Sequence, residues 1–304
     1  VKMQLVAVYI AVLLIWSTTP LGIVWSSESV SPSLALLLRM GIALVIGAVF
    51  IKLTNIEFPW HKKALHFYGV SAVGVAGGMF FTYLAARTMP SGILSLIFGL
   101  APLLSGLFAQ KILGEKPFSL PKKLALILAF TGLLIVCYDK LFEVQAAVPI
   151  RLIDFIFVLC AVSLFSLSGV LIKNVELDMH PVASTVGTLT VSMPIFILSW
   201  LIFDGDFIMP SLGSRSGWSI IYLGVFGSLF GFVGYFYILK RLSASTVSLV
   251  TLITPVLAMF LGSQLNGEVI TDNLVIGATL IILGLFLYFF GNKAVWILAL
   301  SPRK

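Results

Sequence analysis

The sequence predicts an all-α integral membrane protein: ten transmembrane helices, built as two inverted five-helix repeats around a central cavity. Three observations lead there. Sixty per cent of the 304 residues are hydrophobic and only 10% are charged, against roughly 25% charged in a soluble domain. With a mean hydropathy of +1.12, the chain cannot cover a water-facing surface. Its apolar residues fall in long unbroken runs near the roughly 20 residues that span a bilayer, not in the alternating pattern of a transmembrane barrel. The chain also matches itself at a fixed offset of 153 residues.

In chain order the apolar runs cover 3–25, 32–51, 64–87, 89–110, 121–138, 151–172, 181–202, 217–239, 243–265 and 273–291. The first is too long for the apolar region of a signal peptide and lacks a small-x-small cleavage site, so it reads as a mature helix. The connections are short and leave no room for a soluble domain. Lys and Arg residues set the orientation. Fourteen lie on the side of the N-terminus (Lys2, Lys52, Lys62, Lys63, Lys111, Lys116, Lys122, Lys123, Lys173, Lys240, Arg241, Lys293, Arg303 and Lys304). Four lie opposite (Arg87, Lys140, Arg151 and Arg215). This asymmetry predicts cytoplasmic termini and explains the net charge of +7 without nucleic acid as a partner.

The self-match is the most informative feature. Segment 88–116 aligns with 241–269 without a gap, placing Ser95 on Ser248, Pro102 on Pro255, Gly114 on Gly267 and Glu115 on Glu268. The same offset sets Gly74 on Gly227 and Gly78 on Gly231. Chance apolar similarity would not align Pro, Gly and Glu across three consecutive helices. With five helices per half, the second half must enter the membrane the other way round, the arrangement typical of secondary transporters.

Trp16-Ser17 in helix 1, Arg39 in helix 2, and the paired endings of a central Pro followed by Gly-Glu resemble the EamA-domain family of the drug/metabolite transporter superfamily. The resemblance covers two tandem domains, 3–139 and 151–293. It implies a cavity lined mainly by helices 1, 3, 4, 6, 8 and 9. It also implies alternating-access export, exchange or facilitated passage of small metabolites, amino acids or related compounds, at a bacterial inner membrane.

Candidate cavity residues are the aromatic and hydroxyl side chains that interrupt the apolar runs: Trp16, Ser17 and Thr19 in helix 1, Phe80 and Tyr83 in helix 3, and Ser95 and Phe98 in helix 4. The second half offers Phe165, Ser168, Tyr235, Ser248 and Thr251. Apolar walls with a few hydroxyls suit an amphiphilic solute. Pro102 and Pro255 sit mid-run, where proline removes a backbone hydrogen bond, and read as matched hinges. Gly74-x-x-x-Gly78 and Gly227-x-x-x-Gly231 read as close-packing surfaces.

Arg39 lies roughly 12 Å into helix 2 at 1.5 Å per residue. It reads as a structural charge bonded to helix-end carbonyls, with a substrate carboxylate as the alternative. Glu115 and Glu268 read as turn and capping charges. An intramembrane carboxylate relay is missing, which favours an uncoupled carrier, with Asp154 the residue that keeps coupling open.

Cys137 and Cys160 fall inside apolar runs, and His61, His66 and His180 lack metal-ligand spacing, so neither a metal nor a cofactor is expected. An enzyme would need clustered Asp, His or Cys at one interface, and a channel would need a filter of repeated carbonyl or charge rings. Carriers of nucleotide sugars remain the alternative, although such cargo calls for several intramembrane cations and only Arg39 is present. The expected partners are a small-molecule substrate and the lipid bilayer. A monomer suffices for this architecture, and the small-residue stripes leave dimerisation open.

Overall fold

The protein is seen here as a computed structural model describing residues 2–142, 149–175, 177–211, 213–242, 247 and 250–300, with only the backbone described for 2 and 292–300. The described residues are helical throughout the ordered elements and contain no strand. The helices are α1 (Lys2–Ser26), α2 (Pro32–Thr54), α3 (Lys62–Ala85), α4 (Ser91–Ile112), α5 (Leu120–Leu141), α6 (Leu152–Val175), α7 (Pro181–Phe203), α8 (Arg215–Arg241), α9 (Val250–Asn266) and α10 (Asp272–Leu300). Among the described residues nine are long and apolar enough to cross a membrane, and α9, over its described span, is a shorter apolar helix. Large apolar side chains such as Phe50, Ile127, Phe130, Ile202 and Phe260 stand exposed on the outside, a belt that only lipid can cover.

Local chemistry sets the helix ends. Ser31 accepts a hydrogen bond from the Leu34 N–H, ahead of Pro32 at the first helical position, where its missing donor costs nothing. His61 Nδ1 accepts from Ala64 N–H and His180 Nδ1 from Val182 N–H, so two of the three histidines act as helix caps. Gly114 and Gly267 both have positive φ, +66° and +63°, and the next residue's N–H returns to a carbonyl six residues back, Ala109 and Gly262. The repeated Gly-Glu pair thus ends each helix in a left-handed turn, the backbone form that favours glycine.

The two halves interlock. α2 packs on α7 and α5 on α10, while α1 packs on α8 and α9 as α6 packs on α3 and α4. Each helix therefore meets either its own repeat mate or the mate of its partner, as a pseudo-two-fold axis in the membrane plane requires. α1 and α2 correspond to α6 and α7 at an offset of 149, which pairs Trp16 with Phe165, Thr19 with Ser168 and Pro32 with Pro181. The connection 204–214 is four residues longer than 55–61, and this restores the offset of 153 for the remaining helices.

Both halves carry a π-helical stretch at the same place, Val73–Gly77 in α3 and Leu223–Phe230 in α8. Each contains one of the paired glycines. A Cβ on Gly74 would lie 2.6 Å from Ser168 Cβ, and one on Gly227 would lie 3.1 Å from Arg39 Nη2. Close approach of α3 to α6 and of α8 to α1 and α2 depends on these bare backbones.

Candidate functional site

Two cavities that share lining residues lie one beyond the other at the centre of the protein, across the pseudo-symmetry axis. A vestibule of about 180 Å³ opens on the side of the termini, among Pro102, Ser105, Glu115, Lys122, Lys173 and Tyr288. Deeper in lies an inner chamber of about 90 Å³, walled by Thr19, Pro20, Met79, Thr82, Ser95, Phe98, Gly227 and Thr254 among others. Trp16, Ala101, Phe165 and Thr251 border both and form the neck between them. The neck is aromatic. Trp16 meets Phe165 edge-on at 6.0 Å and lies tilted over Tyr235 at 5.4 Å, while Phe165 reaches Tyr235 at 5.7 Å and Phe98 at 6.4 Å. Trp16 and Phe165 are repeat mates, so the symmetry axis passes through the neck.

Beyond the inner chamber the far side is shut by contacts between the halves. Glu268 accepts hydrogen bonds from Ser91 N–H (2.8 Å), Ser91 Oγ (2.6 Å) and Gly92 N–H (3.0 Å). Its carboxylate thereby caps the N-terminus of α4, where the helix dipole favours negative charge. Trp25 Nε1 donates to Asn266 (2.8 Å), Arg215 pairs with Glu28, and Arg87 pairs with Asp204, which also receives the Ser33 hydroxyl. Ser216 Oγ donates to the Ser26 carbonyl at 2.6 Å. The repeat mate of Glu268, Glu115, instead stands at the vestibule mouth within electrostatic reach of Lys173.

Of the residues singled out from the sequence, Trp16, Thr19, Ser95, Phe98, Phe165, Tyr235 and Thr251 come together around these cavities. Four do not reach the central path. Ser17 is 1% exposed and turns back to the Leu13 carbonyl. Phe80 is half-buried against the core and packs on Phe81 and Phe203. Tyr83, 1% exposed, sits behind the wall with its hydroxyl against Ser26 and Arg39. Ser168 donates to the Val70 carbonyl at 2.9 Å, in the α3–α6 contact. Ser248 lies outside the described residues.

Pro102 opens the second half of α4, which breaks at Gly99–Leu100, whereas Pro255 lies inside an unbroken α9. Pro255 packs against the break in α4: a Cβ on Gly99 would lie 3.3 Å from Pro255 Cγ.

Arg39 bonds to hydroxyls rather than to helix-end carbonyls. Its Nε donates to Ser228 Oγ (3.0 Å) and its Nη1 to Tyr83 OH (3.4 Å). Asp154 is fully buried and holds the Arg151 N–H and guanidinium at the start of α6.

Lys122, Lys173 and Tyr288 are vestibule residues that sequence reasoning did not reach. Lys122 Nζ sits 4.8 Å from the Tyr288 ring and 5.5 Å from that of Phe118, held by cation–π attraction. As a loop charge in the sequence it carries no signal of this, because its place depends on α5 lying along α10. The lining is aromatic and hydroxylic at the neck and charged only at the mouth, and this suits a solute with an apolar body and a polar end.

The sequence profile of the EamA-like transporter family matches residues 3–138 and again 152–290. An Archaeoglobus fulgidus protein named as an uncharacterized transporter is 25% identical over 282 residues, covering 90% of this chain and 94% of its own. The Bacillus subtilis uncharacterized transporter YoaV is 25% identical over 288 residues, covering 91% and 94%. A crystal structure at 17% identity superposes with a TM-score of 0.69 over 96% of this chain and 99% of that one, a likeness of fold. With the profile matched over both five-helix halves, the chain belongs to the EamA-like transporter family, as a multi-pass membrane transporter.

Proposed function

We propose that the chain carries small amphiphilic metabolites, amino acids or related compounds, across a bacterial inner membrane by alternating access. The observation that carries this reading is the one-sided opening. The vestibule is open on the side of the termini, and the far side is held shut by Glu268, Asn266, Arg215 and Asp204 contacts between the halves. With the termini in the cytoplasm, as the Lys and Arg distribution favours, this is the inward-open state. The two repeats, 3–139 and 151–293, are the moving units. Exchanging their conformations closes the vestibule and opens the far side. α4 breaks at Gly99–Leu100 while the matching residues 252–253 are helical within Val250–Asn266, and this supports the reading, because an inverted repeat switches by swapping such asymmetries.

Cargo enters past Lys122, Lys173 and Glu115 and rests its apolar body on the aromatic neck. Thr19, Ser95, Thr251 and Thr254 provide hydroxyls for its polar end. Counterflow in proteoliposomes tests this reading: vesicles loaded with an amino-acid mixture and given trace labelled phenylalanine or threonine, without ion gradients. Transient accumulation of label is expected. Well-folded protein that accumulates neither would overturn the amino-acid assignment.

A further inference from the structure

Arg39 has no exposed surface and carries a full charge at any physiological pH. Among the described residues no carboxylate lies within 4 Å of it; its hydrogen-bond partners are the neutral hydroxyls of Ser228 and Tyr83, and its guanidinium carbon lies 5.9 Å from the centre of the Tyr83 ring. Nη2 finds no hydrogen-bond partner in the protein. A purely structural arginine at this depth would be expected to have its donors satisfied, because unpaired charge in low dielectric is costly.

The direction of the orphan is informative. A Cβ built on Gly227 would lie 3.1 Å from Nη2 and 3.6 Å from Thr19 Oγ1. Gly227 and Thr19 both wall the inner chamber. Nη2 therefore lies directly behind the one wall residue that has no side chain to cover it, beside a hydroxyl. That wall segment is π-helical, a form in which backbone adjusts readily and which often marks functional sites. The charged residues bordering the cavities, Glu115, Lys122 and Lys173, belong to the vestibule and not to the inner chamber, so none of them balances Arg39 there.

We propose that Arg39 is the anchor for a carboxylate on the cargo, received at the wall between Thr19 and Gly227. This rests on the reading of the cavities as the cargo path and narrows it to carboxylate-bearing solutes. The carboxylate would complete the Nη2 side of the guanidinium, and would accept from Thr19 only as that hydroxyl turns away from the Ile15 carbonyl, to which it donates at 2.7 Å. Because Ser228 belongs to the second half, occupancy of this site would also tie the two halves together at the cargo. Arg39 and Gly227 thus act as one recognition element: a charge and the gap through which it is reached.

The test is binding to the purified full chain in detergent, measured by competition against labelled phenylalanine. The probes are phenylalanine, 3-phenylpropionate, which lacks the amine, and phenethylamine, which lacks the carboxylate. The first two should bind and phenethylamine should not. Arg39→Gln should weaken both carboxylates by roughly 30-fold or more, the scale of removing one partner of a buried charged pair. Gly227→Ala keeps the guanidinium and its two hydroxyl partners in the chain but puts a methyl 3.1 Å from Nη2 and from Leu223 Cδ2, close enough to press on Nη2 and cover it. It should weaken the same two probes in protein that still unfolds cooperatively, even at a lower melting temperature, and so guards against an Arg39→Gln that fails to fold. Phenethylamine competing as well as phenylalanine would overturn the anchor while leaving the cavity reading intact. Unchanged carboxylate affinity in folded Gly227→Ala would do the same. Binding of none of the three probes would overturn both.

Discussion

Trp16 shows how one side chain joins two compartments. It borders both cavities and contacts Phe165 and Tyr235, each ring pair contributing about 0.5–1.5 kcal/mol beyond burial. Trp16→Ala should weaken apparent substrate affinity by roughly tenfold, while Trp16→Phe retains most of it; concentration-dependent uptake into proteoliposomes reads the difference. Equal transport by Trp16→Ala and the unsubstituted protein would remove the neck from the cargo path. Glycine marks two different needs on this scale. At 114 and 267 it supplies a positive φ, and at 74 and 227 it supplies space.

At the scale of the element, α4 and α9 share a sequence pattern yet differ in shape. α4 is broken before Pro102 and α9 runs unbroken through Pro255. If the break travels between them during the cycle, Pro102→Ala together with Pro255→Ala should slow transport roughly tenfold, about 1.4 kcal/mol of barrier, with substrate affinity nearly intact. Parallel uptake rates and equilibrium binding separate this from damage to the cavity, which would lower both. The cap of Glu268 on the start of α4 is a second element-level device. Hydrogen bonds to a charged acceptor are worth about 1.5–3 kcal/mol, and Glu268→Gln weakens all three. A cysteine at Thr254, in a chain lacking Cys137 and Cys160, should then react at least several-fold faster with a membrane-impermeant thiol reagent from the far side. Unchanged labelling would show that the other inter-half contacts suffice to hold that side closed.

For the whole molecule, α5 and α10 form a pair that packs mostly on itself. Gly132 and Gly277 bring the two backbones together: a Cβ at 277 would lie 2.7 Å from the Gly132 carbonyl oxygen. Gly277→Leu should cost about 1–3 kcal/mol as overpacking, seen as a lower unfolding temperature in detergent. It should also disturb the vestibule mouth, where Lys122 of α5 leans on Tyr288 of α10. The open side can be assigned directly. Ser105→Cys, in the chain without Cys137 and Cys160, should label only from the cytoplasmic face of the membrane. Labelling only from the other face would reverse the orientation and make this the outward-open state.

The ten helices and their inverted pairing were legible in the residues themselves. Bilayer thickness fixes the length of an apolar run, and a tenfold repeat of such runs needs no distant contact to be recognised. The Gly-Glu stops were also legible, since the left-handed backbone there excludes nearly every other residue. The site was legible only in part, and the reason is physical. A soluble helix declares its inner face by an apolar stripe, but a helix in lipid is apolar on every side. Sequence alone therefore could not say that Phe98 and Phe165 line the path while Phe80 packs on Phe203 instead. It could not see the match of Trp16 to Phe165 either, because the longer connection 204–214 shifts the offset from 153 to 149. Arg39 stood out as a charge in an apolar run. That its partners are Ser228 and Tyr83, that Nη2 has none, and that Gly227 leaves it uncovered were decided only when α2 met α8 across the boundary between the halves.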